Sequence, residues 1–145
     1  MADMTMKDLS RKMREIDFAM LVTRTSNGAL AGRPMSNNRD VDYTGDSYYF
    51  ANDQTRTVSD IEADPNVSLS FQGSSGVLGQ RPLFVSVEGT AELIRDKAQF
   101  KAHWTSDLDR WFPNGVDTPG VVMIRVRATR MHYWNGMDEG EVTLG

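Results

Sequence analysis

The sequence predicts a mainly β protein with peripheral helices, an antiparallel barrel or sandwich of about six strands with short helices at its rim. Three observations carry that prediction. Asn27-Gly28 stands between two extended runs, the strongest short hairpin signal there is. Val67 to Phe71 alternates apolar residues with serines at period two, as a strand with one buried face does. Helical spacing is confined to short stretches near residues 6–16, 55–63 and 96–103.

Each element has a local reason. Thr5-Met6-Lys7-Asp8 has the form of a capping box, and Leu9, Met13 and Ile16 follow at helical spacing, which predicts an amphipathic helix over 6–16. Residues 18–25 and 29–36 flank Asn27-Gly28 as a hairpin. Pro34 lacks a backbone donor, so the second strand is an edge there or ends its ladder near it. A turn from Asp42 to Ser47 leads to a third strand, Tyr48 to Ala51. Val58 and Ile61 face inward from a helix over 55–63, which Asp64-Pro65-Asn66 ends. A polar Gly/Ser loop, 72–80, separates the alternating strand from a long strand, 83–93, with Gly89 as a bend or bulge. Asp96 opens a helix to about His103. The loop 105–119 carries Leu108, Trp111 and Phe112, and large apolar residues in a loop mean that it packs on something. Residues 121–127 and 131–134 form the last strand or pair, and 136–145 reads as a tail. The chain is one domain, 1–145, with its core over about 9–134.

Composition narrows the function classes. With 39% hydrophobic and 25% charged residues over 145 positions, the chain suits an ordinary globule rather than a disordered one. No apolar run approaches the ~18 residues of a membrane span, and the start MADMTMKDLSRKM has no signal-peptide core. The absence of cysteine excludes disulfides, thiolate catalysis and Cys-ligated zinc, and fits a cytoplasmic address. A net charge of −4 disfavours a general nucleic-acid binder. Twelve of the sixteen basic residues are nonetheless arginine, whose planar fork suits carboxylate and phosphate.

His103 and His132 are the only histidines, too few for a three-ligand zinc site of that type, and G-x-S-x-G, Walker A and G-x-G-x-x-G are missing. What stands out is a set of anion-ready positions. Arg33 lies on the second strand, with Ser36 and Asn37 after it. Arg56 and Thr57 begin a helix, where free N–H groups and the helix dipole favour phosphate. A three-stranded arrangement of 18–25, 29–36 and 47–52 would gather them at one end of a sheet. The alternative is that Arg33 pairs with an acid such as Asp42 or Asp46 and Thr57 only starts a helix. A second set is aromatic: Trp104, Trp111, Phe112, Tyr133 and Trp134. Flat rings beside a phosphate site suit a flavin or a nucleotide base, whereas core packing or a subunit interface is the plainer reading. Trp104, at a helix end, fits packing; Trp111 fits an exposed functional ring.

The order of Gly32-Arg33-Pro34-Met35-Ser36, Tyr48-Tyr49-Phe50-Ala51, a short helix, Asp64-Pro65-Asn66-Val67 and Val87-Glu88-Gly89-Thr90-Ala91-Glu92-Leu93 resembles the pyridoxamine 5′-phosphate oxidase-like split-barrel flavoproteins. The nearest branch is the short bacterial general stress proteins, with a tryptophan, a Pro/Gly loop and a final Tyr-Trp; here these are Trp104, Phe112 to Gly115 and Tyr133-Trp134. The resemblance implies a six-stranded antiparallel split barrel, dimerised through its barrel face, with two flavin sites at the interface. It implies FMN, with FAD as an alternative, and carries Arg33, Pro34, Met35, Ser36, Phe50, Ala51 and Asn52 onto flavin contacts. The family's usual lysine, eight residues before the Asp-Pro proline, is Thr57 here, a departure from the pattern in which Arg56 beside it would have to supply the charge. Trp111 and Trp134 would come from the partner subunit. The resemblance is to a member that keeps the flavin site without the vitamin B6 substrate site of the true oxidases, so pyridoxamine phosphate oxidation is not expected. The implied function is a stress-associated, flavin-dependent oxidoreductase with an unassigned small-molecule substrate. A non-catalytic flavin carrier or sensor, an interaction module, or a heme protein ligated by His103, His132 or a methionine are the rival readings.

Overall fold

A computed structural model describes residues 4–36, 44–73 and 81–144. Asn37, Asp42 and most of the polar loop 72–80 lie outside the described residues.

The strands are β1 (Phe18–Arg24), β2 (Leu30–Ser36), β3 (Asp46–Asn52), β4 (Asn66–Gln72), β5 (Leu83–Ile94), β6 (Val121–Asn135) and β7 (Asp138–Thr143). The helices are α1 (Met6–Met13), α2 (Arg56–Ala63) and α3 (Lys97–His103). All ladders are antiparallel, in the order β2-β1-β4-β5-β6-β3, with β7 added to β6. The fold is thus a split-barrel-like, mainly β sheet with helices at its rim. It differs from the six-strand expectation in having a seventh strand, and among the described residues the sheet does not close: β2 and β3 stand at the two ends of the path.

The capping box is real: Thr5 Oγ1 accepts from Asp8 N–H, and the Asp8 carboxylate accepts from Thr5 N–H, both at 3.1 Å. The helix ends at Met13, short of Ile16, which is buried beyond the last turn. The hairpin turns on Gly28, whose φ of 85° needs a glycine, and Gly28 N–H donates to Thr25 O as in a three-residue loop. Pro34 faces Met20 on β2, an end strand, where its missing N–H costs no ladder bond on the open side.

The strand or pair expected over 121–134 is one long strand, β6. One edge of β6 pairs with β5; the other is shared between β3, along 121–127, and β7, along 130–135. The β5–β6 register slips at Glu88/Gly89. A Cβ on Gly89 would stand 2.5 Å from Arg127 O, so the bulge is built around the glycine. The stretch read as a tail instead forms β7, because Gly136, at φ 65°, turns the chain back onto β6. There Glu139 and Glu141 lie beside His132, and Glu141 also reaches Arg130.

Two apolar clusters result. The larger fills the curved sheet with Leu21, Leu69, Phe71, Val87, Ile124 and Tyr133, capped by Leu9 and Met13 of α1 and Val58 and Ile61 of α2. The smaller lies behind β3 and β6, where Phe50, Phe100, Val121 and Met123 meet Trp104, Leu108 and Phe112. Loop 105–119 therefore packs, as its composition implied, and contains two short 3₁₀ turns. The runs Tyr48 to Ala51 and Val121 to Ile124 are apolar without alternation because both their faces are covered.

Candidate functional site

The three-stranded arrangement of β1, β2 and β3 does not form. β3 pairs with β6, while β2 pairs with β1. Curvature of the sheet still brings the two end strands face to face, and a cavity of about 300 Å³ lies across the split. Phe18, Pro34, Met35 and Ser36 line one side; Tyr48, Tyr49 and Phe50 line the other. His103, Thr105, Leu108, Trp111 and Phe112 close it from the α3 end. The volume is at the lower end of small-molecule sites.

The aromatic wall is a connected stack of edges and faces. Phe50 meets Trp104 edge-on at 4.7 Å and Phe100 at 5.8 Å, and Trp104 meets Phe112 at 5.7 Å. Trp104 donates its Nε1–H to Asp109, 3.0 Å away, so it is a packing residue. Trp111 is different: 60% of it is exposed, at the rim. His103 lies flat on Tyr48, with ring centroids 3.6 Å apart and 12° between planes. Burial, followed by the positive charge of Arg125, lowers its pKa from the ordinary histidine value. No Asp, Glu, Lys or Arg lines the cavity among the described residues.

Both end strands lead from this neutral cavity to a charged one-turn region at the start of α2. Arg33, next to Pro34, donates from Nη1 to Thr23 Oγ1 at 2.8 Å and to Leu21 O at 3.3 Å. Thr23 donates to Asp60 Oδ2 at 2.8 Å, and Arg33 Nη2 stands 3.7 Å from the same oxygen. Thr23 and Asp60 are buried. The acid that Arg33 meets is therefore Asp60, not Asp46, which bonds Arg125 instead; Asp42 lies outside the described residues. Burial lowers the Arg33 pKa, Asp60 opposes that, and the nearby charge of Arg56 adds to it. Arg56 is exposed at the first position of α2, and Thr57 is buried in the first turn.

A family model described as pyridoxamine 5′-phosphate oxidase like matches residues 4–144. The chain belongs to that family. Protein bli-3 of Neurospora crassa is 29% identical over 140 residues, which cover 90% of this chain and 65% of that one. General stress protein 26 of Bacillus subtilis is 29% identical over 92 residues, 63% of either chain. The chain thus spans just under two thirds of these relatives' lengths. A Clostridium acetobutylicum protein related to general stress protein 26 has the same fold, with a TM-score of 0.79 at 18% identity, covering 96% of this chain and 94% of that one.

Of the positions that family resemblance singled out, Pro34, Met35, Ser36, Phe50 and Trp111 meet in the cavity. Arg33, Arg56 and Thr57 stand together at α2. Three lie outside the described lining of the cavity. Ala51 packs into the main cluster. Asn52 builds the turn into α2, its Oδ1 accepting from Gln54 N–H and its backbone O from Thr55. Trp134 lies on the outer face opposite Phe84, in a shallow depression with Arg81, Pro82 and Gly136. Phe18, Tyr48 and Thr105 were missed as lining residues. The unalternating run Tyr48 to Phe50 was the available signal for Tyr48, since it implies a covered outer face. Nothing local marks Phe18 or Thr105. Among the described residues, no helix is long and apolar enough to cross a membrane.

Proposed function

We propose that the protein binds FMN, with the flavin ring in the split cavity and the phosphate toward Arg33 and Arg56, and that it serves as a flavin-dependent oxidoreductase. One observation carries this reading: β2 and β3, unpaired with each other, surround an apolar cavity and both run from it to a pair of neighbouring guanidiniums. The donor set fits the group. Pro34, Met35 and Phe50 offer apolar contacts, Ser36 and Thr105 offer hydroxyls, and the two arginines with the start of α2 suit an anion. A bound flavin supplies the electron-transfer chemistry; the chain's residues bind, orient and exclude water. FAD is compatible with the same anchor. The names of the stress-protein relatives support a role in stress response.

The active unit in this reading is a homodimer with small-molecule access to both sites. Its support is the outer face of the sheet, where Phe18, Met20 and Leu30 are exposed on β1 and β2 and Phe84 and Trp134 on β5 and β6. Trp134 would reach a flavin only from a second copy. A non-catalytic flavin carrier is the second reading, favoured by the lack of charged side chains in the described lining.

The test is titration of cofactor-free protein with FMN, FAD and riboflavin, followed by flavin fluorescence. Tight FMN binding with weak riboflavin binding supports both ring and phosphate sites. Equal affinities would remove the phosphate site, and no binding would remove the reading. NADH or NADPH turnover of the loaded protein separates oxidoreductase from carrier.

A further inference from the structure

His103 is the one titratable side chain in the cavity besides its two tyrosines, among the described residues. Its imidazole is held in orientation by the stack on Tyr48. Neither ring nitrogen has a hydrogen-bond partner among the described residues, although the ring is only partly exposed. An imidazole oriented by a stacked ring, lining an apolar cavity and free of hydrogen-bonding protein partners among the described residues, is placed to hydrogen-bond a ligand there.

We propose that His103 is a ligand-binding residue of this cavity: a ring nitrogen hydrogen-bonds the edge of an uncharged planar heterocycle, while Tyr48 fixes the imidazole's plane. The inference rests on the flavin reading, for which the heterocycle is the flavin ring. Ligand selection follows from the lining. With no fixed charge in the described walls, the cavity favours an uncharged ring over a charged one, and hydrogen bonds at the ring edge supply what polarity it recognises.

The neutral imidazole is the binding form. Arg125 on β6 faces His103 and opposes its protonation. Arg125 is itself bonded to Asp46 on β3 at 3.2 Å and stands 3.9 Å from Glu92 on β5, so those carboxylates are directed at Arg125. Tyr48 is the remaining titratable contact. Acidification therefore charges His103 and weakens binding.

Two variants separate this from a packing role. His103→Phe keeps a flat ring on Tyr48 and removes the hydrogen bond; FMN affinity should fall about tenfold with an unchanged melting temperature. His103→Gln keeps a donor and an acceptor but cannot titrate; it should bind FMN within about threefold of the wild type and lose the acid limb of the pH profile. Comparing wild type with His103→Gln also removes the titration of the FMN phosphate itself. Because the chain has two histidines, NMR resolves His103 directly, and its titration midpoint should move down when FMN binds. Unchanged affinity in His103→Phe, or an unmoved midpoint in a protein that binds FMN, overturns this proposal and leaves the flavin reading intact. Failure of the wild type to bind FMN or riboflavin overturns both.

Discussion

At one end of the split, Pro34, Met35, Phe50 and Phe112 surround a cavity whose described lining carries no formal charge; at the other, Arg33, Asp60 and Arg56 crowd three charges around the first turns of α2. The two regions share strands, because Arg33 adjoins Pro34 and β3 leads through Asn52 into α2. Their polar groups are nevertheless used differently. Arg33 is already bonded to Thr23 and neutralised by a buried aspartate, so part of its charge holds the fold together. His103 is oriented by a ring but bonded to nothing among the described residues. The difference teaches which residues are free to act on a ligand: exposed Arg56, unpartnered His103 and rim residue Trp111, more than Arg33.

The largest expected effect breaks the charged end. Arg33→Ala leaves Asp60 buried beside Thr23 without its cation and should cost about 3 kcal/mol of stability, measured by urea denaturation. An arginine serving a ligand alone would change affinity and leave the midpoint in place. Next, Arg56→Ala should weaken FMN about tenfold and leave riboflavin and the fold unchanged, because the side chain is exposed. Equal losses for both ligands would move the phosphate elsewhere. Trp111→Ala should change stability by under about 0.5 kcal/mol, since the ring is mostly exposed, while lowering affinity several-fold.

The smallest effect is a pH dependence of stability from His103. Its pKa is lower folded than unfolded, so the folded state binds fewer protons. The contribution is constant above the unfolded histidine range and stability is lost as pH falls through that range. The melting temperature of the wild type should therefore fall relative to that of His103→Gln on acidification, and parallel curves would assign the acid loss to other groups.

Local chemistry made much of the fold legible. Thr5 and Asp8 cap α1, Gly28 turns the first hairpin, Gly89 sits at the bulge, and Leu108 and Phe112 pack as large loop residues must. What was not legible depends on partners distant in sequence. β3 follows β2 closely along the chain yet pairs with β6, a choice written in Val121 to Arg127. β7 is acidic and lacks a hydrophobic run; its charges make sense only beside Arg130 and His132. Gly140 is equally silent alone, although a Cβ there would collide with Tyr133. For the site, adjacent residues on one strand pointed to the cavity region, but not to which of them point inward. Met35 and Arg33 share a face, and only the position of α2 determines that Arg33 meets Asp60.

The most direct test is where FMN lands. Isotope-labelled protein titrated with FMN should show amide and indole shifts gathered at Met35, Ser36, Tyr48, Phe50 and Trp111, extending to Arg56 and Thr57. Shifts confined to the outer depression at Phe84 and Trp134, with the split cavity silent, would contradict the assignment of the ring to the split.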